Sequence, residues 1–377
     1  MRVLHIYSGN LWGGIEAFLA TLARRADLAP EMRSEFALCF DGRLRSELTQ
    51  IGAPLTDLGR VQTRAPWSVL RARRELRRLL AARKFDVVVC HSAWAQAIFG
   101  GVPRTLGVPE VFYLHDRVRD GHWLERWAAR HAPDWSIVNS EFTRGNLTRL
   151  FPGGGVDVVY YPIETPPKAE LETRRAVRAE LGIFDDDSVL IVEASRMQAW
   201  KGHDRLLRAL ARLNGPTIWF CVLIGDAQRP AEQAYRAKLE EQARALGVTA
   251  RVRFLGQRND VPRLLGAADI HCQPNAEPEP FGISFVEALQ AGLPIVTFDM
   301  GGPREIVTRD VGKLVTTEAE LARALDALVN DAALRRKLGA AGPERARTLC
   351  DPRARINDLA AVLGRVCSAP SVPASAG

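Results

Sequence analysis

The sequence predicts an α/β protein made of two parallel-sheet domains, because short apolar runs alternate with helical patterns along most of the chain. The chain has 377 residues, which is more than one hydrophobic core usually holds, so two domains are expected. Near-continuous apolar strands are typical of parallel sheets covered by helices on both faces. The predicted strands cover residues 3–7, 36–40, 86–90, 111–114, 136–138 and 156–160, then 189–193, 218–224, 252–255, 270–273 and 295–298.

The alternation of strands and helices indicates two Rossmann-like domains, at residues 1–165 and 183–350, with a cleft expected where they face each other. Residues 166–182 are predicted to be a linker, because prolines there precede a charged, helix-prone segment. Residues 368–377 are rich in Ser, Pro, Ala and Gly and are predicted to be disordered. Ligands of such sheets bind beyond the carboxyl ends of the strands, so we expect the functional motifs in the loops that follow strands.

The cysteines and the apolar pattern predict a cytoplasmic protein. No two cysteines have C-x-x-C spacing and most lie in apolar runs, which indicates buried thiols in a reducing compartment, not disulfides or a zinc site. No apolar stretch is long enough for a membrane span, and His5, Ser8 and Asn10 interrupt any signal-peptide core. The six cysteines are Cys39, Cys90, Cys221, Cys272, Cys350 and Cys367.

The formal charge of +7 is unevenly distributed. Between Arg60 and Lys84 there are nine basic residues and one acid, Glu75, on a stretch with helical apolar spacing. One interpretation is a basic amphipathic helix that contacts an anionic membrane at its inner face, and the other is an ordinary solvated surface helix. Nucleic-acid binding is not expected, because the stretch lacks interleaved aromatic residues and any known reader motif.

The first candidate motif is the loop from Ser195 to Gly202, which follows a predicted strand and leads into a helix. Its two cations, Arg196 and Lys201, are suited to straddle a diphosphate and to offset the charge that develops when a phosphate departs. The alternative is that both are exposed surface cations.

The second candidate motif runs from Glu279 to Glu287 and predicts a tight loop followed by a helix. Free backbone N–H groups at the helix start suit a phosphate oxygen, and Gly282 allows a close backbone approach. Glu287 is expected off the apolar face of the helix, where a carboxylate can accept hydrogen bonds from a ribose. The alternatives are a solvated helix glutamate for Glu287 and an acidic turn for Glu279.

Two weaker signals lie in the first half. Gly13 and Gly14 form a glycine-rich loop after the first strand that can present amides to an anion, although the spacing is not G-x-G-x-x-G. His115 follows the strand at 111–114, where an imidazole can bond a sugar hydroxyl, or else be satisfied by local structure. The acidic run 185–187 precedes a strand, so we interpret it as a solvated turn and expect no essential metal.

Together these residues resemble glycosyltransferase family 4, a retaining family with the GT-B fold. The resemblance spans nearly the whole chain. Its core is the E-x7-E pattern of Glu279 and Glu287, joined by Arg196-x4-Lys201-Gly202 and by Gly13-Gly14. Each motif is modest alone, and their order across two predicted domains makes the match specific.

The resemblance implies a nucleotide diphosphate sugar as donor. Arg196 and Lys201 are then expected to hold the diphosphate, Glu287 the ribose and Glu279 the sugar ring. The resemblance also implies that Arg258 borders the nucleotide base and that His115 contacts a far hydroxyl of the sugar. Further phosphate contacts are then expected from the backbone amides of Gly14, Phe281, Gly282 and Ile283. The helix at 351–367 is expected to cross back to the first domain.

The resemblance also implies front-face attack, in which the departing phosphate acts as the base. A hexosyl unit is then transferred from a UDP- or GDP-sugar to a glycan, lipid-linked or small-molecule acceptor, in cell-surface polysaccharide or glycoconjugate synthesis. Alternatives are an epimerase or hydrolase that uses His115 with Asp116, a non-catalytic nucleotide-sugar binding protein, and an NAD-linked oxidoreductase, which the absent fingerprint disfavours.

Overall fold

The computed structural model describes residues 1–119, 121–166, 171–225 and 227–368 and divides the chain into two compact units. The first unit contains Met1–Glu164 and the segment that begins at Cys350, and the second contains Thr165–Leu349. The linker predicted at 166–182 falls partly outside the described residues, and the predicted disordered tail does so beyond Ser368. Each unit is built on one parallel sheet, which confirms the predicted fold class.

The first unit has a seven-stranded parallel sheet in the order β3-β2-β1-β4-β5-β6-β7. Its central strands β1, β4 and β5 are buried, as expected for a sheet covered on both faces. The strands are β1 (Arg2–Tyr7), β2 (Arg33–Leu38), β3 (Leu55–Asp57), β4 (Val87–His91), β5 (Glu110–Leu114), β6 (Trp135–Val138) and β7 (Val156–Val158). The helices are α1 (Gly14–Arg24), α2 (Arg43–Ile51), α3 (Pro66–Ala82), α4 (Ser92–Phe99), α5 (Trp123–Ala128) and α6 (Glu141–Leu147).

The second unit has a six-stranded parallel sheet in the order β10-β9-β8-β11-β12-β13. The strands are β8 (Val189–Ala194), β9 (Trp219–Ile224), β10 (Val252–Gly256), β11 (Ile270–Cys272), β12 (Ile295–Phe298) and β13 (Gly312–Val315). The helices are α7 (Leu171–Glu180), α8 (His203–Leu210), α9 (Pro230–Ala245), α10 (Val261–Ala267), α11 (Ile283–Gln290), α12 (Pro303–Ile306), α13 (Glu318–Asn330), α14 (Ala332–Ala340) and α15 (Gly342–Cys350). The chain then continues into α16 (Pro352–Ser368), which packs in the first unit. Among the described residues, no helix combines the length and the apolar character needed to cross a bilayer.

Strands β8, β11 and β12 are neighbours, so the loops after them meet at one edge of the second sheet. The Ala276 backbone N–H donates to Trp200 O at 2.7 Å, and the Gly302 backbone N–H donates to Glu279 O at 2.8 Å. Both bonds join the loop after β11 to a neighbouring loop. The three loops therefore form one connected surface, and side chains on different loops are held at fixed separations.

Gly202 allows the closest of these approaches. Its φ is +83°, and a Cβ added there would lie 1.9 Å from the carbonyl oxygen of Pro274 in the loop after β11. A side chain at this position therefore meets both an unfavourable backbone conformation and a backbone atom that has no room to move.

Gly202→Ala should lower the free energy of unfolding by clearly more than Gly247→Ala. Gly247 also has a positive φ, +71°, but no atom lies within 4 Å of an added Cβ. The Gly247→Ala variant should therefore lose only the conformational contribution to the free energy of unfolding, about 1–2 kcal/mol. Urea denaturation of both variants measures the difference. Equal losses would show that the contact with Pro274 does not constrain the loop.

Candidate donor site

An ion pair between Lys201 and Glu279 is the centre of the candidate site in the second unit. The Nζ of Lys201 lies 2.6 Å from Oε2 of Glu279, and both side chains are largely shielded from solvent. Lys201 belongs to the loop after β8 and Glu279 to the loop after β11, so the pair joins two motifs that the sequence predicted separately. The indole of Trp200 packs beside the ammonium group, with its ring centroid 4.1 Å from Nζ.

Two amide side chains that the sequence analysis missed complete the surroundings of Glu279. Gln273 and Asn275 donate to Oε2 of Glu279 at 3.2 and 3.3 Å, and the Nε2 of Gln273 also donates to Oδ1 of Asn275 at 2.9 Å. Ser284 Oγ in the first turn of α11 donates to Oε1 of Gln273 at 2.9 Å. The carboxylate of Glu279 is thus an oriented acceptor within a buried network. Gln273 and Asn275 come directly after β11, and this position is the sequence signal by which they could have been found.

Arg196 is the second cation of the loop after β8. It is half-buried, and no acidic residue among the described ones lies within ion-pair distance of its guanidinium group. A partly buried cation without a protein anion favours a bound anion as its partner. Arg208 differs in this respect, because it has the same intermediate burial but pairs with both Asp204 and Glu318.

The start of α11 presents backbone amides without a side-chain cap. Gly282 precedes Ile283, the first residue of the helix, and no side chain accepts from the first amides. Phe281 is buried, and a Cβ at Gly282 would lie 2.4 Å from the ring of Phe285, so the turn is closely packed. Uncapped amides at a helix start attract anions. The predicted contact of Phe281, Gly282 and Ile283 with a phosphate stays a prediction.

Glu287 lies on α11, one turn beyond this helix start. The side chain is partly buried, and burial of the carboxyl raises its pKa to about 7. No group among the described residues donates a hydrogen bond to this carboxyl. Glu287 is therefore not the freely solvated helix glutamate that one interpretation of the sequence expected, and it retains the capacity to accept bonds from a ligand.

A second buried cluster lies directly beneath the loop after β8. Oε1 of Glu193 lies 3.2 Å from Ser195 Oγ and 3.3 Å from His203 Nε2. Burial raises the pKa of Glu193 well above its usual range and lowers the pKa of His203 to about 3. Burial thus favours the neutral form of both groups, and the Ser195 hydroxyl lies within hydrogen-bond distance of each.

Arg258 follows β10 at the far side of this edge. It forms two hydrogen bonds of 2.8 Å with Asp260, and these bonds raise its pKa. The guanidinium group is thus oriented by its own loop. Its predicted place beside a nucleotide base stays a prediction.

In the first unit, Gly13 and Gly14 lie at the start of α1. Gly13 precedes the helix without a side-chain cap, and Gly14 is exposed. Below them, Tyr7 donates a 2.9 Å hydrogen bond to Oε1 of the buried Glu16. The predicted contact of these amides with a phosphate stays a prediction.

His115 lies at the carboxyl end of β5, as predicted, but its ring is buried and bonded within the protein. Nε2 lies 2.8 Å from His91 Nδ1, and Nδ1 lies 2.6 Å from the hydroxyl of Tyr161. Asp116 is exposed and accepts from the backbone N–H of Arg117. The two residues therefore do not form the acid/base pair that an epimerase or hydrolase requires. The contact of His115 with a sugar stays a prediction.

Within the described residues, no group of three or more His, Cys, Asp or Glu side chains is arranged to hold a metal ion. Residues 185–187 are exposed, and Asp186 pairs with Arg175 at 2.7 Å. Arg196, Lys201 and the amides of α11 contribute positive charge at this edge of the second sheet.

Family comparisons match both units. Residues 12–165 match Glycosyltransferase Family 4, and residues 173–345 match Glycosyl transferases group 1. A D-inositol 3-phosphate glycosyltransferase of Xylanimonas cellulosilytica is 32% identical over 69% of this chain and 62% of its own length. The lipopolysaccharide core biosynthesis glycosyltransferase LpsE of Rhizobium meliloti is 32% identical over 46% of this chain and 49% of its own length. The chain thus spans about half to two thirds of the length of these relatives.

Solved structures extend the likeness over nearly the whole chain. HepE of Anabaena, in a complex with UDP and glucose, has a TM-score of 0.85 and 26% identity, and the match covers 97% of this chain and all of HepE. A glycosyltransferase of Rickettsia africae has a TM-score of 0.83 at 16% identity over 98% of this chain and 99% of its own, which shows a shared fold. Because both halves match and the two predicted parallel-sheet domains are present, the chain belongs to the family 4 glycosyltransferases, with the GT-B fold.

Proposed function

We propose that the protein is a retaining glycosyltransferase that moves a hexosyl unit from a UDP- or GDP-sugar to a glycan, lipid-linked or small-molecule acceptor. The observation that carries the proposal is the Lys201–Glu279 pair beside the uncapped start of α11. Positive charge, backbone N–H donors and an oriented carboxylate together fit a diphosphate that bears a sugar. Synthesis of cell-surface polysaccharide or glycoconjugate is the corresponding role.

Each chemical group of the nucleotide sugar has a partner of matching chemistry in the second unit. Arg196 and Lys201 bind the diphosphate, and the amides of Gly282 and Ile283 complete its surroundings. Glu287 accepts from the ribose, and Glu279 accepts from the sugar ring. The complex of HepE with UDP-glucose supports a uridine donor as the first to test, and Arg258 is the residue through which the base is chosen.

The anomeric configuration of the sugar is retained because attack occurs at the front face, where the acceptor hydroxyl donates its proton to the departing phosphate. Lys201 and Arg196 stabilise the charge that builds on that phosphate, so positioning and electrostatics supply most of the rate and no metal ion is required. Glu279 supports this mechanism because three donors already engage its Oε2, which suits a fixed acceptor better than a nucleophile. His115 is the remaining candidate for a contact with the sugar.

Lys201→Ala should lower transfer about 100- to 1,000-fold, because it removes the cation nearest the leaving phosphate. Calorimetry with UDP, GDP and ADP first selects the donor, and release of the nucleoside diphosphate from its sugar then measures turnover. Lys313→Ala is the matched control, since Lys313 is an exposed lysine of the same unit. Unchanged turnover in Lys201→Ala would refute the site, and rapid epimer formation without acceptor would favour the epimerase alternative.

The affinity for UDP-glucose should rise about fivefold to tenfold between pH 6 and pH 8. The pKa of Glu287 is about 7 in the free protein, so the carboxylate that accepts from ribose is mostly protonated at pH 6 and ionised at pH 8. UDP-glucose is the suitable probe because its phosphodiester groups do not titrate in this range.

Glu287→Gln should remove this pH dependence, which calorimetry at several pH values measures. Glu110→Gln is the control, because burial also raises the pKa of Glu110 to about 7, but that residue lies on β5 of the first unit. A slope that persists in Glu287→Gln would show that another group controls donor binding.

We also propose that α3 contacts an anionic membrane. On a helix with about 3.6 residues per turn, its exposed residues fall within an arc of about 160°. Trp67 and Leu70 on this face are 72% and 64% exposed. The arc also holds Arg71, Arg74, Arg77 and Arg78, of which only Arg78 has an acidic partner among the described residues. Exposed apolar anchors beside arginines suit a lipid interface, and peripheral attachment of a cytoplasmic enzyme is consistent with a lipid-linked acceptor.

Replacement of Trp67 and Leu70 by serine should abolish co-flotation with vesicles of phosphatidylglycerol. The wild-type protein should float with these vesicles and not with phosphatidylcholine vesicles, because both apolar and electrostatic contributions are needed. Phe184→Ser is the control, since Phe184 is 83% exposed in the second unit. Equal flotation with both lipids, or none with either, contradicts membrane contact through α3.

A further inference from the structure

A chain of hydrogen bonds runs from Trp200 to the first turn of α9. The indole Nε1 of Trp200 donates to Oε1 of Gln198 at 2.9 Å, and Nε2 of Gln198 donates to Oε1 of Glu232 at 2.8 Å. The other carboxylate oxygen of Glu232 accepts from the backbone N–H of Gln228 at 2.7 Å. We call Trp200, Gln198 and Glu232 the Trp200 network. It connects the loop after β8 to the start of α9, which follows β9.

The chemistry of the groups fixes the direction of these bonds. An indole N–H donates and cannot accept, so the atom of Gln198 that faces it must be the carbonyl oxygen. The amide nitrogen of Gln198 is then the atom that faces Glu232. Glu232 is 5% exposed, and each of its carboxylate oxygens has a donor, so this end of the network is satisfied within the protein. Rotation of the Trp200 ring would break its bond to Gln198.

The network holds the indole of Trp200 against the ammonium group of Lys201. Nζ lies 4.1 Å from the ring centroid, which is within the range of a cation–π contact, and 2.6 Å from Oε2 of Glu279. Strands β9 and β11 are the two neighbours of β8. The ammonium group is therefore held by one contact that is braced on the β9 side and by another that comes from the β11 side. Lysine carries its charge on a flexible four-carbon stem, so a second contact restricts where that charge lies.

We propose that the three residues of the Trp200 network are positioning residues that act through Lys201, because they hold its ammonium group in one place. Trp200 and Gln198 are neutral, and the carboxylate of Glu232 is buried and bonded on both oxygens. Their contribution is thus to the position of the cation and not to the amount of charge. An effect on sugar transfer rests on the proposed function, whereas the existence of the network does not.

Nitrogen-15 NMR of tryptophan-labelled protein tests the network without any substrate. Trp200→Phe identifies the indole signal of Trp200 by its loss. Gln198→Met keeps a side chain of similar length but removes the acceptor, so the indole N–H of Trp200 should shift upfield and exchange faster with solvent. An unchanged Trp200 signal in Gln198→Met would overturn the proposal.

A double-mutant cycle tests whether the network acts through Lys201. Trp200→Leu should lower turnover of the donor that calorimetry selects about tenfold, because the cation–π contact is lost. In a Lys201→Met background the same substitution should cause no further loss, since the group that the ring positions is absent. Equal losses in both backgrounds would show that Trp200 acts independently of Lys201 and would overturn the positioning role.

Trp200→Phe provides the conservative variant, because it keeps an aromatic ring but has no N–H. It should retain more turnover than Trp200→Leu, and equal turnover of the two would contradict a contact through the ring. If Trp200→Leu does not fold, the cycle with Lys201→Met is made with Trp200→Phe.

Trp219→Phe is the matched control in the same unit. Trp219 also has a cation–π contact, with Cζ of Arg251 5.1 Å from its ring centroid, but it is the first residue of β9 and so lies at the opposite edge of the sheet. It is 3% exposed, so Trp219→Phe should lower the free energy of unfolding and leave turnover unchanged. A loss of turnover as large as that in Trp200→Phe would show that reduced stability explains both. Absence of transfer by the wild-type protein with every donor would refute the proposed function, while the NMR result would still decide whether the network exists.

Discussion

The contact between Lys201 Nζ and Glu279 Oε2 holds the second unit's candidate site together, because it joins the loops that follow β8 and β11. A buried ion pair is costly unless its remaining hydrogen-bonding capacity is satisfied. Gln273 and Asn275 provide this by donating to the same carboxylate oxygen. The network thus holds the carboxylate and the cation in one arrangement, and electrostatic stabilisation needs little reorganisation when the charged groups are already in place.

The two units share a strand order, but the carboxyl edges of their sheets differ in charge. At the carboxyl edge of the second sheet, Arg196, Lys201 and the amides of α11 supply positive charge for an anion. In the first unit, the residue at the carboxyl end of β5 is a neutral imidazole in a chain of neutral imidazoles. Charged groups attract an anion, whereas neutral imidazoles offer only directional hydrogen bonds, so the two sheet edges differ in electrostatic character although their strand orders are alike.

Most of the fold could be predicted from the sequence because the buried strands lie in apolar runs. Strands β3 and β13 were missed, since their sequences, Leu-Thr-Asp and Gly-Lys-Leu-Val, are not continuous apolar runs. The motifs around Lys201 and Glu279 were found because each follows a strand. Their direct contact was not predicted, since it depends on β8 and β11 being neighbours, which the sequence order does not specify.

The contacts among His5, His91 and His115 could not be predicted either, because they also depend on the spatial order of the strands. His5 and His91 attract notice in the sequence only as polar interruptions of apolar segments. Their alignment requires the spatial order β2-β1-β4-β5 and a stagger of two residues per strand, which are tertiary properties. The internal partners of His115 were unforeseen for this reason, although its position at the end of a strand was predicted.

The charge of the candidate site in the second unit also depends on a buried carboxyl beneath it. Glu193 lies within electrostatic range of Lys201, and an ionised carboxylate there would compete with a ligand for that cation. Burial instead raises the pKa of Glu193 well above its usual range. Because burial favours its neutral form, Glu193 weakens the attraction of Arg196 and Lys201 for an anion less than an ionised carboxylate at the same place would.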